Sequence, residues 1–271
     1  MDFMKAIKAV LNDSRIVAKL GIIFGILIIS SAITTILNLF INFTSYIPLS
    51  EEYTYLSSLF SLLISLVAPL LTFPLWLYMR GYALEIADSI RKGNLEDPLP
   101  EHSNIKRTLS IGGVSLTISY VVILPFILLI SAPIFLLMLG LYSDPTFFSS
   151  PVMIAILFGL LFIGIASGFT ILLVSLFFTP TMTYIYIRTG SVSKAFSMRT
   201  VFRILAESWS QWLLYAALVF LLNIIAGILT LLLCCIPVFA PAAIQTFVFA
   251  LTSAILGSIY YNLDQNQDRI L

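Results

Sequence analysis

The chain has 271 residues, of which 60% are hydrophobic and 10% are charged, and its formal net charge is +1. Soluble domains average ~45–50% apolar and ~25% charged residues, so this composition excludes an ordinary soluble protein and indicates one membrane domain. That domain is expected to occupy residues 1–271. The near-zero net charge gives no basis for nucleic-acid binding, and no nucleic-acid partner is expected.

Six apolar stretches are long enough to cross a membrane, since a span needs ~20 apolar residues to cross ~30 Å of hydrocarbon. In chain order the predicted spans are 20–43, 55–79, 110–140, 152–187, 209–235 and 239–263. The first stretch exceeds the ~7–15 apolar residues of a cleavable signal, so we expect it to be retained. The sequence therefore predicts an all-α integral membrane protein with six transmembrane helices.

Prolines mark the irregular points of the later spans. The range 152–187 is too long for one straight span, and Pro180 is expected to kink it. This leaves open whether the range is one kinked helix or a span followed by an interfacial helix. The break between the last two spans is predicted at Pro237 and Pro241, which stop one helix and open the next.

All fourteen Lys and Arg residues lie outside the predicted spans, in four clusters. The connections after the first, third and fifth spans carry no Lys or Arg. Positively charged connections stay in the cytoplasm, while connections without Lys or Arg cross the membrane. The pattern therefore predicts three outward hairpins in a multi-pass protein of the cell membrane, with both termini in the cytoplasm.

Basic amphipathic segments precede the first and third hairpins. Lys5 and Lys8 lie mainly opposite Val10. In the later segment, the apolar residues Met198, Phe202 and Leu205 recur at helical spacing against Arg199 and Arg203. Such helices lie in the interface with their cations toward anionic headgroups. The cations predicted to contact lipid headgroups or a protein partner are Lys5, Lys8, Arg15, Lys19, Arg91, Lys92, Lys106, Arg107, Lys194, Arg199 and Arg203.

The stretch after the second span has a specific pattern. It contains Arg80-Gly81-Tyr82, then Arg91-Lys92-Gly93-Asn94, then Pro98-Leu99-Pro100-Glu101, and the later Lys194-Ala195-Phe196 looks like the same pattern. The chain resembles domain-of-unknown-function family four-zero-one-three, which comprises archaeal and bacterial polytopic membrane proteins. That family is similar to the membrane domain found beside glycerophosphodiester phosphodiesterases. The resemblance implies a membrane fold and location, and brings no catalytic residues.

The densest polar cluster lies between the second and third spans. Glu85 and Asp88 could share a divalent metal ion with His102, the only histidine. The alternative, which we favour, is that Asp88 pairs with Arg91 or Lys92 at helical spacing. No metal site or cofactor is therefore expected.

The predicted spans contain no Asp, Glu, Lys, Arg or His, so intramembrane catalysis and proton-coupled transport are not expected, and no catalytic residues are assigned. Asn223 and Gln245 are the most conspicuous polar groups of the last two spans. An unpaired amide is costly in hydrocarbon, so these two are candidates for a polar pair.

Two pairs of glycines have the spacing that lets helices approach closely. They are Gly21-xxx-Gly25 and Gly164-xxx-Gly168, which would serve packing within the bundle or dimerisation. Cys234 and Cys235 end the fifth span, and we expect them to act as apolar packing residues.

Three functions remain after these exclusions. The favoured one is a non-enzymatic protein that binds anionic lipid headgroups, a membrane protein partner or a second copy through its basic cytoplasmic face. One alternative is a permease or channel for a small uncharged solute along hydroxyl- and amide-bearing spans. The other is an enzyme acting at the inner headgroup layer through Glu85, Asp88 and His102.

Overall fold

The structure, a computed structural model, describes residues 1–46, 51–143, 151–233 and 239–267. All regular elements in these ranges are helical, which confirms the all-α prediction. The α-helices are α1 (Phe3–Leu11), α2 (Ile16–Tyr46), α3 (Glu51–Arg91), α4 (Ile105–Ser143), α5 (Pro151–Leu173), α6 (Thr179–Thr189), α7 (Val192–Ala195), α8 (Met198–Glu207), α9 (Trp209–Leu232) and α10 (Phe239–Gln267). The break predicted at Pro237 and the packing of Cys234 and Cys235 lie outside the described residues.

Five stretches of the described chain are long and apolar enough to cross a membrane, which indicates a membrane protein. They are Ile16–Leu37, Ile105–Ser131, Phe158–Thr189, Trp209–Leu232 and Phe239–Asn266. Each overlaps one of the six predicted spans. The other predicted span, 55–79, falls within α3, where most side chains before residue 69 are outside the described set.

The helix α3 continues well past the predicted end of the second span. It has 41 residues and contains Pro69 and Pro74. At 1.5 Å per residue it is about 60 Å long, twice the thickness of the hydrocarbon layer. A membrane can therefore enclose only part of α3, and its last turns belong with the charged residues that follow.

The chain folds into two compact units, which are Met1–Gly113 with Leu213–Leu271, and Val114–Trp212. The core of the first unit includes Val10, Ile23, Tyr82, Leu99 and Ala254, contributed by α1, α2, α3, the α3–α4 loop and α10. This core adjoins most of the charged residues of the unit. We call residues 1–19, 80–107 and 255–267 the charged end.

The amphipathic prediction for α1 is confirmed, but protein covers its apolar stripe. Ala6, Ala9 and Val10 are buried, and α1 packs along α10. The Met1 amino group bonds to the side-chain oxygen of Asn262, whose amide nitrogen donates to the Met1 carbonyl at 3.1 Å. Part of the apolar side of α1 is therefore occupied by α10, and its position in the membrane interface stays a prediction.

Three glycines of the first unit allow backbones to touch. A Cβ atom at Gly81 would overlap the carbonyl oxygen of Thr108, and one at Gly112 would overlap that of Leu77. A Cβ atom at Gly257 would lie 2.8 Å from the carbonyl oxygen of Ala87. Thus α3 meets both α4 and α10 at positions where no side chain fits.

The glycines predicted from their spacing do not have this role within the chain. Around Gly21, Gly25, Gly164 and Gly168 no described atom lies within 4 Å of an added Cβ. The prediction of close packing within the bundle is wrong for these four, because no described part of another helix approaches them closely. A role in dimerisation stays a prediction.

In the second unit, a single π-helical turn interrupts the long helix. Val174–Phe178 joins α5 to α6, and the Thr179 N–H donates to the Val174 carbonyl five residues back. Pro180 has no N–H and cannot continue the ordinary ladder, so the wider turn carries the helix past it. The irregularity predicted at Pro180 is this turn, and the helical run continues to Thr189 before Gly190 ends it at φ 66°.

The short helices that follow form the second amphipathic segment. In α8, Val201, Ile204 and Leu205 are buried, whereas Arg199 and Arg203 are exposed, which confirms an amphipathic helix. Two of the predicted apolar positions, Met198 and Phe202, are exposed as well.

Candidate functional site

A buried ionic group at the charged end joins α2 to the loop between α3 and α4. The Lys19 side chain is 5% exposed, its ammonium lies 3.1 Å from Asp13, and it also pairs with Asp97. The Asp13 carboxylate, 1% exposed, accepts further bonds from the backbone N–H groups of Arg15 at 2.8 Å and Leu99 at 3.4 Å. The buried Asp13 carboxylate therefore has one ionic and two backbone partners.

The Lys19 ammonium also acts on the exposed partner of this group. Its hydrogen bond holds the pKa of Asp97 below the ordinary value of 3.8. The Asp97 side chain is 61% exposed, so solvent screens much of the attraction. The loop is thus tied to α2 by one buried and one surface ion pair.

His102 sits beside this group, stacked on Tyr82 with ring centroids 4.5 Å apart. Its Nε2 lies 2.8 Å from the Lys19 carbonyl oxygen, and its Nδ1 bonds to the Tyr78 hydroxyl. A carbonyl only accepts, so Nε2 carries a proton and donates it to the Lys19 carbonyl oxygen. Burial raises the pKa of Tyr82, whose hydroxyl donates to the Pro100 carbonyl at 3.0 Å.

The favoured ion pairs of Asp88 are confirmed. Its carboxylate lies 2.6 Å from Arg91 and 2.7 Å from Lys92, and Arg91 also reaches Asp264 at 2.6 Å. The arrangement joins the end of α3 to the end of α10. Among the described residues, Glu85, Asp88 and His102 do not form a metal-binding group.

A polar cleft of about 310 Å³ opens beside these pairs. Its walls carry charges of both signs, including Glu85, Asp88, Lys92, Glu101 and Arg107. Burial raises the pKa of Glu85, although the Thr108 hydroxyl, donating at 2.9 Å, and Arg107 oppose that shift. The carboxylates of the cleft bond to cations or hydroxyls of the chain, so their hydrogen-bonding and ionic partners come from the protein itself.

Nine of the eleven cations predicted to contact headgroups are exposed. They are Lys5, Lys8, Arg15, Lys92, Lys106, Arg107, Lys194, Arg199 and Arg203. Lys19 and Arg91 are placed differently from the prediction, since acids distant in sequence hold them inside the protein. Arg15 is exposed but pairs with Glu101 at 2.8 Å.

The two amides of the last spans are exposed in the structure. The Asn223 amide donates to the Val219 carbonyl of its own helix at 2.8 Å. No Asn223–Gln245 hydrogen bond is present in the described part of the chain. Because the Asn223 amide is hydrogen-bonded within its own helix, it needs no partner on α10.

Sequence reasoning missed the acids that bury Lys19 and Arg91. Asp13 lies six residues before Lys19, outside helical spacing, and Asp264 is 173 residues from Arg91. It also missed a row of buried hydroxyls in the second unit. We call this the hydroxyl row, and its members are Ser115, Ser119, Thr179, Thr181 and Thr183.

Comparison with known proteins gives one match. The model of a family described as "Protein of unknown function (DUF4013)" matches residues 62–235, more than half of the chain. The matched range includes the Gly-Tyr to Pro-Leu-Pro-Glu stretch on which the resemblance rests. No curated protein and no solved structure matches the chain.

Proposed function

We propose a function from the premise that this chain belongs to the DUF4013 family of proteins of unknown function. The chain is a multi-pass, non-enzymatic protein of the cell membrane that binds anionic phospholipid headgroups through a basic cytoplasmic face. A membrane protein partner or a second copy is the other binder that this face could recruit.

One observation carries the proposal, which is the division of the cations into paired and exposed groups. The acids Asp13, Asp88 and Asp264 hold Lys19 and Arg91 inside the protein. Several other cations are exposed and make no salt bridge in the described ranges; these are Lys5, Lys8, Lys106, Lys194 and Arg199. Each cation near an anionic membrane surface contributes about 1 kcal/mol to attraction.

The proposal includes six spans in three hairpins with both termini in the cytoplasm. The one-sided distribution of Lys and Arg supports it. After Cys234 and Cys235 are changed to Ala, single cysteines placed at 42–52 or 142–150 should react with a membrane-impermeant thiol reagent in intact cells. Labelling only after lysis would contradict this threading.

Headgroup preference can be measured on the purified chain in mild detergent. The protein is equilibrated with equimolar phosphatidylglycerol and phosphatidylcholine, and the lipid that coelutes with it is quantified. We expect enrichment of phosphatidylglycerol, weakened by salt and by changing all five unpaired cations to Gln. Asp2→Asn with Glu207→Gln is the matched control, and an unbiased lipid ratio for the wild type would overturn the proposal.

The non-enzymatic part of the proposal is supported by how the candidate catalytic groups are used. Both ring nitrogens of His102 bond within the chain, and Asp88 holds two cations. If His102→Ala inserts normally but abolishes a cellular phenotype or a lipid-cleaving activity, enzymatic action would replace this proposal.

A second candidate, a permease for a small uncharged solute, is favoured by the hydroxyl row. The Ser115 and Thr183 hydroxyls lie 3.5 Å apart, and the Thr179 hydroxyl, 5% exposed as a residue, has no hydrogen-bond partner in the described chain. Proteoliposome flux that falls in Thr179→Val would support transport. Absence of flux for glycerol and urea would count against it.

A further inference from the structure

An apolar groove of about 450 Å³ runs between the start of α2 and the first half of α10. Leu11, Val17 and Phe24 form one side, and Thr246 and Phe247 lie on the other. The Thr246 hydroxyl donates to the Ala242 carbonyl at 2.7 Å, so the groove offers no unpaired polar group from this side chain. The lining therefore suits a hydrocarbon chain.

Gly21 lies in the groove and keeps it open. No described atom lies within 4 Å of a Cβ added there. A side chain at this groove-lining position would therefore begin in open space. The absence of a side chain at Gly21, which is not needed for packing within the chain, leaves space for a ligand.

Two exposed lysines precede the groove residue Leu11 in α1. Lys8 precedes Leu11 by three residues, so the two share a face of α1, and Lys5 lies one turn further on. From Leu11 the helix runs toward Met1, which bonds to Asn262 near the end of α10. Lys8 is thus about 4.5 Å nearer than Leu11 to the Met1 end of α1.

We propose that the groove is a specific site for an anionic phospholipid, with one hydrocarbon chain against Gly21 and the phosphate at Lys8 and Lys5. The inference rests on the proposed function and gives it a location. Charge complementarity favours this occupant: an apolar chain fits the groove, and the two exposed ammonium groups match an anionic headgroup. A second copy of the chain would fill the apolar part but leave the two lysines without a partner anion.

Filling the groove tests the site directly. Purified wild type, equilibrated with equimolar phosphatidylglycerol and phosphatidylcholine, is passed through lipid-free detergent, and retained phospholipid is counted per chain by mass spectrometry. Gly21→Leu should lower retained lipid about tenfold or more, because the new side chain takes the place of the hydrocarbon. Gly227→Leu is the matched control, since that glycine is also exposed and unobstructed but lies on α9.

Two further variants distinguish binding of the lipid's hydrocarbon chain from binding of its headgroup. Ala243→Leu fills the groove from α10 and decides the test if Gly21→Leu does not insert. Lys5→Gln with Lys8→Gln should leave the total retained lipid similar while lowering the ratio of phosphatidylglycerol to phosphatidylcholine by about fivefold for each lysine.

The outcomes distinguish this site from the broader proposal. If anionic lipid remains enriched in the wild type and in both groove-filling variants alike, the site is overturned while headgroup binding by the basic face stands. If the wild type shows no anionic preference, both fail. If the wild type elutes as a lipid-free dimer that Gly21→Leu converts to a monomer, the groove is a contact between two copies and the site is overturned.

Discussion

Two buried cations of the first unit and two buried hydroxyls of the second find partners over very different distances along the chain. In the first unit, Lys19 pairs with Asp97, 78 residues away, and Arg91 pairs with Asp264, 173 residues away. In the second unit, the hydroxyls of Thr181 and Thr183 donate to carbonyls four residues back in the same helical run, at 2.7 and 2.8 Å. Ion pairs between residues far apart in the chain thus hold the first unit together, whereas these two hydroxyls bond within their own helical run.

The difference follows from what each group needs. A buried ammonium or carboxylate requires a partner of opposite charge, which the helix backbone does not supply. A hydroxyl can donate to the carbonyl one turn earlier, which every helix provides. Charged residues therefore carry information about tertiary structure that hydroxyls in apolar helices do not.

Removal of the Lys19 charge should have the largest effect. Lys19→Met leaves the buried Asp13 without its cationic partner, and breaking such a pair costs about 3–5 kcal/mol of unfolding free energy. Denaturant unfolding in detergent, followed by circular dichroism, measures the loss. Lys8→Met, at an exposed position, should stay within about 0.5 kcal/mol. Equal effects of the two changes would show that the buried pair does not hold the first unit.

A glycine substitution at a close backbone contact should cause the second-largest loss of stability. Gly81→Ala places a methyl group on the Thr108 carbonyl, and overpacking of this kind costs about 1–3 kcal/mol. Gly25→Ala enters open space on an exposed helix and should be neutral or slightly stabilising. Thermal unfolding of both variants in one detergent compares them, and a larger loss at Gly25 would reverse the assignment of packing glycines.

Acid should weaken the surface half of the ionic group. The pKa of Asp97 is lowered by Lys19, so its stabilisation is present above pH 3.8 and is lost as pH falls through the lowered value. Because Asp97 is exposed, Asp97→Asn should cost less than about 1 kcal/mol at neutral pH. The midpoint difference between wild type and this variant, measured against pH, should shrink in acid; a difference that grows in acid would be inconsistent with the pairing.

The hydroxyl row should show the smallest effect. Thr181→Val keeps the shape of a fully buried side chain and removes its bond to the Phe177 carbonyl. Membrane-helix hydrogen bonds average about 0.6 kcal/mol, so the melting temperature should fall only slightly. A loss comparable to that of Lys19→Met would mean that hydroxyls fix the second unit as firmly as charges fix the first.

The sequence by itself determined features that depend on neighbours along the chain. Apolar length predicted the five stretches that the structure identifies, and helical spacing predicted the pairing of Asp88 with Arg91 and Lys92. The missing N–H of Pro180 marked the irregular turn in the long helix. Each follows from contacts within a few residues, which the sequence displays directly.

Only the tertiary structure decided which cations are buried and which glycines are covered. Lys19 resembles Lys8 in its sequence setting, yet the fold brings Asp13 and Asp97 to one and leaves the other exposed. Gly21 has a second glycine four residues later, the spacing typical of packing glycines, but it lines a groove. Gly81 has no glycine at that spacing, yet it contacts α4. Burial and close approach depend on segments far apart in the chain, and no local spacing specifies which segments meet.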